Sequence, residues 1–120
     1  MKKKDLKTIG FSDFGWISGA YSAHPKVDPD NGDIFNLGTN FKESTVTISR
    51  TTKDMKLICS KNFKLRSVQS IHDICLAGDY IVIFESSISL SVKKLLVSTA
   101  FLNSLVFDES LPVLMHIYRK

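Results

Sequence analysis

The feature that most constrains this 120-residue chain is a series of short apolar or β-branched runs, each closed by residues that turn the backbone. Thr45-Val46-Thr47-Ile48-Ser49 alternates polar and apolar residues with period two. That period sends one set of side chains to a core face and the other set to the opposite face of a strand. Branching at Cβ restricts χ1 and suits a pleated surface better than a helix. Ile34-Phe35-Asn36-Leu37-Gly38 follows Asp30-Asn31-Gly32-Asp33, where an Asn-Gly pair readily takes the positive φ of a tight hairpin turn. Met55–Cys59 and Phe63–Leu65 read as two further short strands. Tyr80-Ile81-Val82-Ile83-Phe84 is a continuous apolar run, short enough to be a buried strand. Pro112–Tyr118 closes the series. Strands this short, with turn residues between them, predict an all-β meander: a barrel, a sandwich or propeller blades. The stretch from Ile88 to Phe107 departs from the pattern as a helix-like or irregular apolar excursion interrupted by Lys93-Lys94.

Composition narrows the function classes. Hydrophobic residues make up 43% and charged residues 23% of the chain, which fits one folded domain over residues 1–120 and opposes disorder. The net charge of +4 is diluted. Apart from Lys2-Lys3-Lys4 the basic residues are scattered, so there is no basic, aromatic-interleaved face for nucleic acid. Cys59 and Cys75 lack CxxC spacing, which points to a reducing, cytoplasmic setting rather than to a disulfide framework or zinc site. The basic N-terminus is not followed by the long apolar segment of a signal peptide. Nor does any run approach the roughly eighteen apolar residues that a spanning helix needs.

Three residues carry the chemical interest. His116 lies within the last apolar strand and reads as a structural histidine. His24 precedes Pro25, which favours extended backbone and removes one donor. His72 precedes Asp73, just ahead of the Tyr80 strand. Two histidines at strand ends could converge, although spacing alone does not place them together. There is no GxSxG elbow for a hydrolase triad, no P-loop and no GxGxxG.

Two segments resemble a known family. Ser22-Ala23-His24-Pro25-Lys26-Val27-Asp28-Pro29-Asp30-Asn31-Gly32-Asp33-Ile34-Phe35-Asn36-Leu37-Gly38 is similar to the AHPK-DP-TG segment of the carotenoid cleavage dioxygenases. That family also includes lignostilbene dioxygenases and the retinoid isomerase of the eye. Ile71-His72-Asp73-Ile74 through Tyr80-Ile81-Val82-Ile83-Phe84-Glu85-Ser86 resembles its HDF…NY-(V/I)F-E-P segment. Asp5–Gly10 resembles its L-T-G lead-in strand. The resemblance implies a seven-bladed β-propeller, of which 120 residues would supply a few blades as a partial carotenoid oxygenase domain. It further implies Fe(II) on four axial histidines, two of them His24 and His72, and neutral imidazole suits that ion. The activity implied is oxidative cleavage of a conjugated double bond in a carotenoid, apocarotenoid or stilbene.

The chain also departs from the family pattern. It lacks the two later ligand histidines and the glutamates that orient the ligands, Ile74 replaces a phenylalanine, and Ser87 stands where proline is usual. These departures predict weak iron binding and no turnover by the chain alone, with a missing second part of the enzyme as partner. The apolar polyene substrates suggest a peripheral membrane contact through residues 88–107, with Lys93 and Lys94 at headgroup level. The alternative is a non-catalytic β-propeller remnant, or a β module that binds a hydrophobic ligand or a partner.

Overall fold

The computed structural model describes residues 8, 10–17 and 19–120. The lead-in strand expected over 5–10 lies outside the described residues apart from Thr8 and Gly10. From Ala20 onward the chain forms β1 (Ala20–Tyr21), β2 (Lys26–Val27), β3 (Ile34–Asn40), β4 (Thr45–Thr51), β5 (Leu57–Lys64), β6 (Cys75–Ala77) and β7 (Tyr80–Glu85). There follow β8 (Ile88–Leu90), the short helix α1 (Val92–Val97), a 3-10 turn over Phe101–Ser104, β9 (Leu105–Phe107) and β10 (Leu114–Arg119). One antiparallel sheet runs β1-β3-β4-β5 with β2 also on β3; a second runs β10-β7-β6; β8 and β9 form a separate hairpin. The all-β expectation holds. No helix among the described residues is long and apolar enough to cross a membrane.

Turn chemistry sets the hairpins. Gly78 at φ +56° sits in the two-residue loop between β6 and β7, whose last ladder pair is Ala77↔Tyr80. That is the positive-φ geometry in which glycine avoids the Cβ penalty. The Asn31-Gly32 hairpin is looser than its dipeptide suggests. β2 and β3 pair at Val27↔Ile34, which leaves six residues in the loop, and only Gly32 takes positive φ (+79°). Asp28 explains the longer loop: its carbonyl accepts from Gly32 N–H at 2.8 Å and its carboxylate accepts from Asp30 N–H at 3.1 Å. An aspartate that caps its own turn in this way competes with the tight two-residue form.

The buried faces of the two sheets share one core. Phe35, Leu37, Val46 and Ile48 come from the first sheet and Ile81 and Ile83 from the second; Leu65, Ile71 and Ile74 enter from the connection between the sheets. β5 is one eight-residue strand where two short ones were expected. The polar stretch Ser60-Lys61-Asn62 reads as a break, but it stays in register with β4, and Thr47 Oγ1 donates to Asn62 Oδ1 at 2.6 Å. β7 is buried on one face only. Ile81, Ile83 and Glu85 point inward, while Tyr80 and Phe84 are about half exposed. Opposite them on β10, Met115 pairs with Phe84 and Ile117 with Val82, so the outer face of the second sheet is apolar and open. The excursion resolves into a β8–β9 hairpin that closes around α1, whose N-cap Ser91 accepts from Lys94 N–H.

Ile74 is 1% exposed at the centre of the core. Ile74→Ala should therefore lower unfolding free energy by about 2–5 kcal/mol. Val97→Ala, at a side chain 86% exposed, should change it by no more than about 0.5 kcal/mol. Urea denaturation of the two variants beside the parent chain measures both.

Candidate metal centre

His24 owes its position to a break in a strand. β1 and β2 lie along the same edge of β3, but between Tyr21↔Gly38 and Lys26↔Phe35 one side advances five residues and β3 only three. The two surplus residues push the Ala23-His24-Pro25 stretch out of the ladder, as a bulge does. Pro25 has no N–H to offer β3. The His24 N–H donates instead to Ser22 Oγ at 3.1 Å. The imidazole is thereby left exposed at the sheet edge.

His72 sits in an irregular connection between β5 and β6, where side chains replace the missing ladder. Arg66 N–H donates to Glu85 Oε1 at 2.6 Å and Gln69 Nε2 donates to the same oxygen at 3.3 Å. Ser86 N–H donates to Gln69 Oε1 at 2.9 Å, and Leu90 N–H to Val68 O at 2.6 Å. Buried backbone and amide groups are satisfied in this way without regular structure. Ile71 and Ile74 anchor in the core on either side, and His72 and Asp73 between them face outward.

The two histidines meet. Their ring centroids are 4.4 Å apart with an interplanar angle of 54°. Ser22 Oγ donates to the His72 carbonyl at 2.7 Å, and Lys26 Nζ lies 2.8 and 3.0 Å from the two Asp73 carboxylate oxygens. The hydrogen bond from Lys26 holds the Asp73 carboxyl below its ordinary pKa, and the Ile74 N–H adds to this. Asp73 is thus turned to the lysine rather than to the imidazoles. Among the described residues no group of three or more His, Cys, Asp or Glu side chains is arranged to hold a metal ion. The ring nitrogens of both imidazoles make no hydrogen bond among the described residues, and such nitrogens suit a borderline divalent ion.

His116 is elsewhere: its Nε2 lies 2.9 Å from Glu85 Oε2. Sequence reasoning passed over Glu85, Gln69 and Ser22. A carboxylate at an inward position of an apolar strand was the available signal for the first of them, since a buried charge demands partners. Burial alone would push the Glu85 carboxyl up, but the Arg66 N–H, His116 and the Arg66 guanidinium outweigh it and hold the group below its ordinary pKa. A cleft of about 280 Å³ opens beside His72, walled by Phe41, Ile88, Leu90, Phe101 and Leu105 and by the polar Gln69, Ser70, Ser86 and Ser89. It connects the imidazole to the apolar excursion.

A sequence model of the retinal pigment epithelial membrane protein family matches residues 1–120. Carotenoid 9,10(9',10')-cleavage dioxygenase 1 of Phaseolus vulgaris is 26% identical over 92 residues, which are 76% of this chain and 17% of the relative. The Pisum sativum protein of the same name matches to the same extent. Among solved structures, lignostilbene dioxygenase of Pseudomonas brassicacearum superposes with a TM-score of 0.84 at 22% identity, covering 100% of this chain and 25% of that one. A cobalt-substituted apocarotenoid oxygenase of Synechocystis gives 0.72 at 23% identity, over 96% of this chain and 28% of that one. The chain thus spans about a sixth of the curated relatives and about a quarter of the solved enzymes.

The Glu85 cluster gives a pH signature. A carboxyl whose folded pKa is depressed adds stability above its unfolded value of about 4.3, and that stability is lost as pH falls through the folded value. Unfolding free energy should therefore be flat above about pH 5 and decline on acidification. Glu85→Gln should cost on the order of 2 kcal/mol at pH 7 and flatten part of the acid slope. Urea titrations of both proteins between pH 3 and pH 7 read the difference, and identical slopes would rule the cluster out as a contributor.

Proposed function

The chain belongs to the retinal pigment epithelial membrane protein family, and from that premise we propose that it is part of the catalytic domain of an Fe(II)-dependent oxygenase acting on carotenoid, apocarotenoid or stilbene double bonds. Its all-β sheets are a few blades of a β-propeller. The observation that carries the proposal is the convergence of His24 and His72, brought to 4.4 Å by a strand bulge and by an irregular connection. Bound between them, Fe(II) would supply the activation of O2. The protein's share is to hold two imidazoles close together and to keep Asp73 engaged with Lys26. The remaining ligands belong to other blades, since residues 1–120 are one part of the domain.

The cleft beside His72 supports an apolar substrate. A polyene lying along Phe41, Ile88, Leu90 and Phe101 would bury apolar surface at about 25 cal/mol per Å² and would lie beside His72. In the same excursion Leu95, Leu96 and Leu102 are exposed, with Lys93 and Lys94 adjacent in sequence. That segment fits shallow insertion into a bilayer interface, where each lysine near anionic headgroups adds about 1 kcal/mol. A second reading, a non-catalytic module that binds a hydrophobic ligand, draws on the same cleft and on the absence of a third ligand among the described residues.

Three measurements separate these readings. Co(II) titration of the chain should show weak binding that falls about tenfold in either His24→Ala or His72→Ala; affinity unchanged in both would remove the metal reading. The chain by itself should form no aldehyde from apocarotenoids under O2, and oxygen-dependent product would overturn its dependence on further blades. In a full-length relative carrying this segment, Leu95→Asp with Leu96→Asp should reduce co-sedimentation with anionic liposomes several-fold. A normally folded double variant that pellets as well as the parent would show the patch to be ordinary surface.

A further inference from the structure

The two histidine-bearing segments share no ladder with each other, yet their backbones meet at one hydroxyl. Ser22 Oγ accepts from the His24 N–H at 3.1 Å and donates to the His72 carbonyl at 2.7 Å. A serine hydroxyl has one proton to give and lone pairs to receive, so both bonds are made at once. The serine is itself held. Its N–H donates to Leu37 O at 2.8 Å, and its carbonyl accepts from Asn36 Nδ2 at 2.8 Å. Asn36 is 2% exposed on β3, and its Oδ1 accepts from Leu37 N–H, which fixes the amide orientation. On the far side of the histidines, Lys26 and Asp73 join the same two segments.

We propose that Ser22, seated on the buried Asn36, is the positioning residue that sets the His24–His72 geometry, with the Lys26–Asp73 pair as a second, outer clasp. The proposal rests on the metal-centre reading for its consequence, but not for its structural content. A bulge of two surplus residues and an irregular connection each have many backbone arrangements open to them. One hydroxyl bridging them removes the relative freedom of the two imidazoles before any ligand arrives. A site prepared in this way loses less on binding than one that must be assembled. Of the two clasps, the serine has the greater share. Its hydroxyl joins two backbones, and its own backbone is held by the buried Asn36 and by Leu37. Lys26 and Asp73 join only through side chains that are 33% and 46% exposed, and exposed pairs contribute little.

The test reads geometry and affinity separately. In the metal-free chain, NMR should show an NOE between the ring protons of His24 and His72, and titration with Co(II) alone should give the parent affinity. Ser22→Ala should abolish the ring–ring NOE and weaken Co(II) binding about tenfold. Ser22→Thr, which keeps the hydroxyl, should restore both. Asp73→Asn should weaken binding only about two- to threefold and leave the NOE in place. A folded Ser22→Ala chain that keeps the NOE and binds Co(II) within twofold of the parent overturns the proposal. If Ser22→Ala does not fold, Asn36→Ser decides in its place: an unchanged NOE then overturns the proposal, and a lost one supports it. Should His72→Ala leave Co(II) affinity untouched, the metal reading fails on its own, and the NOE in the Ser22 variants still decides whether the serine sets the geometry.

Discussion

A buried carboxylate organises the connection on which the candidate site hangs. Glu85 is 1% exposed and ends β7 at an inward position, so its charge must be met by donors within reach. The donors are the Arg66 N–H and guanidinium, Gln69 and His116, drawn from the connection and from β10. Because those partners surround the irregular stretch that leads to His72, satisfying one charge also fixes the path of a segment that has no strand of its own. The ordering of that segment follows from electrostatics rather than from propensity.

A second buried charge does comparable service at the other end of the core. Asp28 is 3% exposed in the β2–β3 loop, and Lys120 Nζ lies 2.8 Å from its carboxylate, which that hydrogen bond holds below its ordinary pKa. Lys120 also stands over the Phe35 ring at 5.9 Å from its centroid. The pair joins the end of the second sheet to a loop of the first. Both sheets are thus cross-linked by polar contacts at their margins and by apolar packing between them. Removing either partner would strand the other, and such losses are the costly kind.

The strands were legible where alternation or branching was clear, as in β3, β4 and β10. β5 was misread as two because a polar triplet looks like a turn when its cross-strand partner is unknown; Thr47 is that partner, and only the ladder reveals it. The apolar run of β7 suggested a buried strand, yet among the described residues Tyr80 and Phe84 are left about half exposed. His24 and His72 stood out through their motifs, but their proximity depends on a two-residue surplus against β3, a property of register that no linear pattern displays. Ser22 escaped notice for a related reason. Its importance lies in which two backbones its hydroxyl joins, and serines that cap their own neighbours look the same in sequence.

The open outer face of the second sheet bears on how such a chain behaves in a cell. Tyr80-Ile81-Val82-Ile83-Phe84 combines β-branched and aromatic residues without charge, proline or glycine, the composition from which cross-β aggregates nucleate. Asp79 and Glu85 bracket the run and act as gatekeepers, but β10, with Met115 and Ile117 on the same side, extends the adhesive area across two strands. A nascent polypeptide that displays this face exposes a contiguous apolar area prone to self-association. Its yield of soluble protein would then be governed by concentration and by the rate of folding, more than by the depth of its folded minimum.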